Sequence, residues 1–249
     1  MFHRRFTRRR PHATMLMRDQ YREIVVLNNQ GVVLVENARH GDARNYFERA
    51  LMLITRSVNV SYEKMHTNAT PHKHIYPRVR HVWSCASSSE TTERIDSTSA
   101  TYVYRRALFI DCSDIPLSDY REEATIIVYN LALSLHLVGL ERKLSMIPTA
   151  IWLYQIACRM LAGEFQNLEF SRGSLLRDPM FRAAIISNMG SASFELADFL
   201  SGNYYFGELV HELCNSQLPK GARSTPFAKD VQGFLINSAL EIPTTAPSA

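Results

Sequence analysis

The chain has 249 residues, 46% hydrophobic and 21% charged, with 10 Gly, 10 Pro and 4 Cys. That balance describes one globular body or two small ones with a core that needs no metal or disulfide staples, and it excludes collagen-like, wholly disordered and disulfide-scaffold classes. The net charge is +4, but residues 1–18 hold six Arg and no acid, so the rest of the chain sums to about −2 and only the N-terminus is basic.

Residues 1–18 form a basic arm in which Arg4, Arg5, Arg8, Arg9 and Arg10 are candidates for phosphate contacts. The same arm reads equally as a nuclear localisation patch, a mitochondrial presequence or a solvated tail. Residues 19–38 carry apolar or small residues at helical spacing (Ile24, Leu27, Gly31, Leu34, Ala38). His40-Gly41-Asp42 reads as a turn plus N-cap, and a second helix is predicted from Ala43 to about Ser57. Residues 58–117 are rich in Ser, Thr and His and read as a partly disordered insertion. Within it Tyr102-Val103-Tyr104 and Leu108-Phe109-Ile110 predict a short extended segment. Residues 118–162 resume helical patterning: a capping box Asp119-x-x-Glu122, a run to about Leu140, and a helix from Pro148 to Leu161. In 178–215, Asp178-Pro179 opens a helix to about Leu200, Ser201-Gly202-Asn203 turns the chain, and Tyr204–Cys214 is helical. Residues 216–249 form a tail with one possible short helix, Ala228–Leu240.

Cys85, Cys112, Cys158 and Cys214 contain no Cys-x-x-Cys pair and read as reduced thiols of an intracellular chain, cytoplasmic or nuclear, with a mitochondrial address open from the Arg-rich start. Ile126–Leu140, the longest apolar stretch, is too short to span a bilayer and carries Asn130 and His136, so no membrane contact is expected.

A phrase recurs three times: Asn29-Gln30-Gly31, Asn130-Leu131-Ala132 and Asn188-Met189-Gly190, each with a large apolar residue four before the small one (Leu27, Val128, Ile186). Taken with the helix downstream of it, the phrase resembles the tetratricopeptide repeat, a helix-turn-helix unit of about 34 residues. In 19–57, Leu27, Gly31 and Leu34 match the large-small-large positions of helix A, and Ala43, Phe47 and Ala50 the small-large-small positions of helix B. In 118–162, Val128, Ala132 and Leu135 match helix A, and Ala150, Tyr154 and Ala157 match helix B with six extra residues in the turn. In 178–215, Ile186 and Gly190 match, Gly202 and Phe206 come next at helix B spacing, and Ser193 and Leu209 depart from the pattern. The closing proline is absent, with Thr55 in its place in the first repeat. The resemblance implies a mainly α fold of TPR-like antiparallel helix pairs, an α-solenoid, with the insertion set between repeats.

It also implies a concave groove lined by helix A, into which the residue two after the first large position points. Here those residues are Asn29, Asn130 and Asn188, and an Asn amide pairs with the backbone of an extended peptide whatever that peptide's sequence, or else satisfies a neighbouring helix or loop. Val32, Leu133, His136 and Phe194 are further candidates for the peptide-binding groove. The cations of an acidic-peptide clamp are missing from the matching positions. An apolar groove left open is a liability, so it is filled either by a partner protein or by the chain's own Tyr102–Ile110 or Ala228–Leu240.

No nucleophile elbow, phosphate loop, dinucleotide fingerprint or His-Glu-x-x-His occurs. His66, His72, His74, His81 and Cys85 lack the fixed pair spacing of a zinc site. The expectation is therefore a non-catalytic protein-binding scaffold with no cofactor and no metal, and the alternative is a nucleic-acid-associated protein acting through its arginine arm.

Overall fold

Two connections between helices use the same turn. The computed structural model describes residues 11–65, 80–84, 101–111, 120–162, 178–215 and 228–239. In the first connection Ala38 takes a left-handed conformation (φ 55°) between helix α1 (Pro11–Glu36) and helix α2 (His40–Met65). The Arg39 N–H reaches back to the Leu34 carbonyl at 2.8 Å and the Ala38 N–H to the Val35 carbonyl at 3.0 Å. This is the Schellman closure, which satisfies helix-end carbonyls that would otherwise be orphaned. In the second, Ala197 (φ 57°) joins α5 (Pro179–Glu195) to α6 (Phe199–Asn215), and Asp198 and Ala197 donate at 2.9 Å to Ser193 and Phe194 respectively.

Both turns lie upstream of where the glycines suggested. His40-Gly41-Asp42 begins α2, and Ser201-Gly202-Asn203 lies in the first turn of α6. The reason is that alanines occupy the left-handed positions, and the glycines are used elsewhere. A Cβ on Gly31 would overlap the Phe47 ring, one on Gly190 the Phe206 ring, and one on Gly202 the Phe194 ring, while one on Gly41 would meet open space. Gly31 and Gly190 thus let α1 approach α2, and α5 approach α6, at the same place in each pair.

The remaining elements are β1 (Arg80–Trp83), β2 (Leu108–Asp111), α3 (Arg121–Glu141), α4 (Ile147–Ala162) and α7 (Ala228–Ser238), with a 3-10 turn at Leu144–Met146 leading into α4. Helix α3 follows Tyr120, which makes no side-chain cap, and Glu123 is buried in its first turn; Asp119 of the expected capping box lies outside the described residues. Helix α5 opens as its sequence suggests: the Met180 N–H donates to Asp178 Oδ1 at 2.9 Å and Pro179 fills the first turn.

Among the described residues the chain is mainly helical, with seven α-helices and one two-stranded antiparallel sheet. Each helix from α1 to α6 packs chiefly on its neighbours in sequence, and α7 packs on α5 and α6. The three-residue connections force α1–α2 and α5–α6 to run antiparallel. Helix α3 lies at the centre and is buried nearly all round, which explains its lack of a polar face. By length and composition it is the one described helix able to cross a membrane, but 83% of its most apolar window is covered by protein. In the sheet Val82 stands opposite Phe109 and Trp83 opposite Leu108. Beyond it, Ser84 continues the pairing: its N–H donates to the Ala107 carbonyl at 2.9 Å, and its Oγ accepts from the Ala107 N–H at 3.1 Å.

Candidate peptide groove

Residues 102–107 are extended and run into β2, so their backbone N–H and C=O groups need partners from outside the segment. In an extended chain both groups of alternate residues point to one side. On one side of this segment stand α1, α3, α5 and α7, each contributing an asparagine. Asn29 accepts from the Ile110 N–H and donates to the Ile110 carbonyl, both at 2.9 Å. Asn130 does the same for Leu108, both at 2.9 Å. Asn188 accepts from the Tyr104 N–H at 2.8 Å and donates to its carbonyl at 3.0 Å. Asn237 accepts from the Tyr102 N–H at 2.7 Å and donates to its carbonyl at 2.6 Å. Each side-chain amide stands where a neighbouring β-strand would, and the paired donor and acceptor fix which way it faces.

The ladder skips residue 106, whose carbonyl accepts from the Tyr129 hydroxyl at 2.9 Å. Supporting bonds brace the rungs. Asn28 donates to the Leu108 carbonyl at 3.0 Å and accepts from Asn130 at 2.9 Å. Ser191 donates to the Tyr102 carbonyl at 2.8 Å, and Asn188 donates to the Tyr154 hydroxyl at 3.2 Å. The opposite edge of the segment at 107–111 is taken by Ser84 and β1.

Side chains fill the remaining space. Tyr104, Ala107, Leu108 and Ile110 are buried, and Trp83 packs its edge against Tyr104 (5.2 Å), Phe181 (5.9 Å) and Tyr129 (6.2 Å). From α7, Phe234 meets Tyr104 at 5.2 Å and Tyr102 at 6.2 Å, while Gly233 leaves room for the Tyr102 ring.

An ion pair, four tyrosines and a histidine set the electrostatics. Arg106 Nε lies 3.2 Å from Asp230 Oδ2, both well buried. Burial pushes the Asp230 carboxyl up to about 6, against the pull of Arg106 and a hydrogen bond from Tyr102. Burial also raises Tyr102, Tyr104, Tyr129 and Tyr154 well above the usual phenol range, so these hydroxyls stay neutral. His136 is pushed down to about 3 by burial, with the Arg105 charge adding to the effect. Among the described residues its two ring nitrogens make no hydrogen bond, and its ring lies 6.1 Å from that of Tyr154.

Of the residues expected to line a groove, Asn29, Asn130 and Asn188 meet the extended segment, and Val32, Leu133 and His136 are buried. Phe194 instead turns toward α6, meeting Phe199 edge to face (5.4 Å) and Phe206 at a tilt (5.2 Å). The helix-pairing residues Leu27, Ala43, Phe47, Ala50, Val128, Ala132, Leu135, Ala150, Tyr154, Ala157 and Ile186 are buried, and Leu34 is partly so. Arg4, Arg5, Arg8, Arg9 and Arg10 lie outside the described residues, as do His66, His72, His74 and Cys85. Among the described residues no group of three His, Cys, Asp or Glu side chains stands ready to hold a metal.

Sequence reasoning missed Asn237, although Leu235-x-Asn237-x-Ala239 is a fourth copy of the recurrent phrase. It expected the Ala228–Leu240 segment as a possible filler of the groove; α7 instead forms part of the wall. Trp83 and the Tyr129 hydroxyl were also missed, and no local pattern marks either. Comparison with protein-family models, with curated proteins and with solved structures finds no match.

Proposed function

We propose that this protein is a non-catalytic, intracellular protein-binding scaffold or adaptor whose TPR-like helix pairs present a concave face for an extended polypeptide. The observation that carries this reading is the asparagine ladder: Asn29, Asn130, Asn188 and Asn237 each take both backbone groups of one residue in an extended segment. Recognition of that kind gives affinity through the main chain and leaves specificity to pockets for alternate side chains. The shared Gly31–Phe47 and Gly190–Phe206 contacts support a repeated helix pair as the underlying unit. In the resting protein the face holds the chain's own residues 102–110.

Quantitative affinity co-purification from the native cell tests the reading, comparing wild type with the Asn29, Asn130, Asn188→Ala variant after both give helical circular dichroism. Partners enriched with wild type and depleted with the folded variant are expected. Equal recovery with both, or no specific partner with either, sinks the scaffold reading.

A further inference from the structure

Every buried polar group must find a partner, in the protein or in water. The face under residues 102–110 is lined by Asn28, Asn130, Ser187, Asn188, Ser191 and Asn237, all buried. Their amides and hydroxyls are satisfied by the segment's backbone and by one another while it is in place, and by water when it is not. Helices α1 to α6 pack directly on their neighbours in sequence, and of the helices only α7 takes much of its seat from the segment, through Asn237 and Phe234.

We infer that residues 101–111 are a built-in occupant that an extended segment of another protein replaces, an exchange that rests on the scaffold reading above. The contacts specify the replacement. It presents an aromatic ring where Tyr102 lies on Gly233 and another where Tyr104 meets Trp83 and Phe234. Two residues on from the second ring it carries a base facing Asp230, as Arg106 does. A small residue comes next in the place of Ala107, then aliphatic side chains in the places of Leu108 and Ile110, all fully enclosed. The pattern is aromatic-x-aromatic-x-base-small-aliphatic-x-aliphatic, read in one direction along the four asparagines. The internal copy keeps the groove closed until a competitor with this pattern is abundant enough to displace it.

The probe is a fluorescent peptide of residues 101–111, added to the full-length protein and to its Tyr104→Ala, Leu108→Ala variant, with binding read by anisotropy. Weakening the internal copy raises the fraction of open groove, so the variant binds the probe at least about tenfold more tightly than wild type. A probe with Glu in place of Arg106 binds at least about tenfold more weakly than the parent probe. A helical, folded variant that ignores the probe overturns the exchange. Hydrogen exchange of the unmodified protein decides the matter independently of whether that variant folds. The Tyr104 and Leu108 amides should exchange at least about tenfold faster than amides in the middle of α3, through an opening that leaves the helices protected. Exchange of those two amides only together with α3 marks the segment as a permanent core strand and overturns the proposal. Wild-type dimers that the probe dissolves overturn the assignment to a foreign partner, since the occupant is then a second copy of this chain. If exchange fails while native partners still depend on the asparagines, the scaffold reading survives and the exchange alone is lost.

Discussion

A single asparagine in this groove replaces what a whole neighbouring strand does for one residue, so the cost of deleting it depends on how dry its rung is. Asn188→Ala leaves the buried Tyr104 N–H and carbonyl without those partners, an expected loss of about 2–4 kcal/mol. Asn237→Ala does the same at the partly exposed Tyr102, where water substitutes, and about 1–2 kcal/mol is expected. Urea unfolding of the two variants checks the order, and equal costs would count against the burial argument. Two titrating residues act with opposite signs. His136, held down to about 3 in the fold, stays neutral while the unfolded chain takes a proton below about 6.5. Its contribution is complete above that pH and falls by up to about 1.4 kcal/mol per unit as pH drops toward 3. Asp230, raised to about 6, contributes most below about 3.9, and that contribution is lost as pH rises through 6. Stability measured from pH 3 to 8 should therefore lose part of its acid limb in His136→Leu, and Asp230→Asn should remove a decline between pH 4 and 6. Profiles parallel to wild type in both variants would show that neither group is buried as described.

At the scale of elements, glycine and alanine have exchanged their usual places. Gly31 lies in the middle of α1 because the Phe47 ring occupies the space of its missing side chain, and Ala38 holds the left-handed turn that glycine would fill without strain. Gly31→Leu should cost about 1–3 kcal/mol by overpacking the α1–α2 crossing. Gly41→Ala, with open space around it in the first turn of α2, should be neutral or stabilise by up to about 1 kcal/mol. Chemical denaturation reads both, and a neutral Gly31→Leu would remove the close crossing from the account. Ala38→Gly and Ala197→Gly should each raise the melting temperature, by relieving about 0.5–1 kcal/mol of backbone strain; a lower melting temperature in both would refute it. The helices themselves were legible because apolar spacing and the Asp178-Pro179 start are local signals. Their turns were misplaced by three to five residues because the Schellman closure needs only one left-handed residue, and an alanine gives no sign of taking it.

For the whole molecule, the segment at 102–110 and its wall form one unit: Tyr104 touches β1 through Trp83, α7 through Phe234 and α5 through Asn188. Tyr104→Ala should cost about 3–5 kcal/mol and strip hydrogen-exchange protection from α7 before α3, because α7 is held by the segment, α5 and α6. Protection of α7 that outlasts that of α3 would mean that α7 docks independently of the segment. The sequence by itself determined the helix pairs, the small residues at their crossings and the common phase of Asn29, Asn130 and Asn188, since each depends on residues within a few turns of one another. It also marked Tyr102–Ile110 as extended and as one of two internal candidates to fill a groove. Only the tertiary structure decided between those candidates, placing Ala228–Ser238 in the wall and residues 102–110 along it. The physical reason is that a backbone hydrogen bond carries no sequence signature: Asn188 and Tyr104 are 84 positions apart, and nothing about either residue alone says which N–H it will meet.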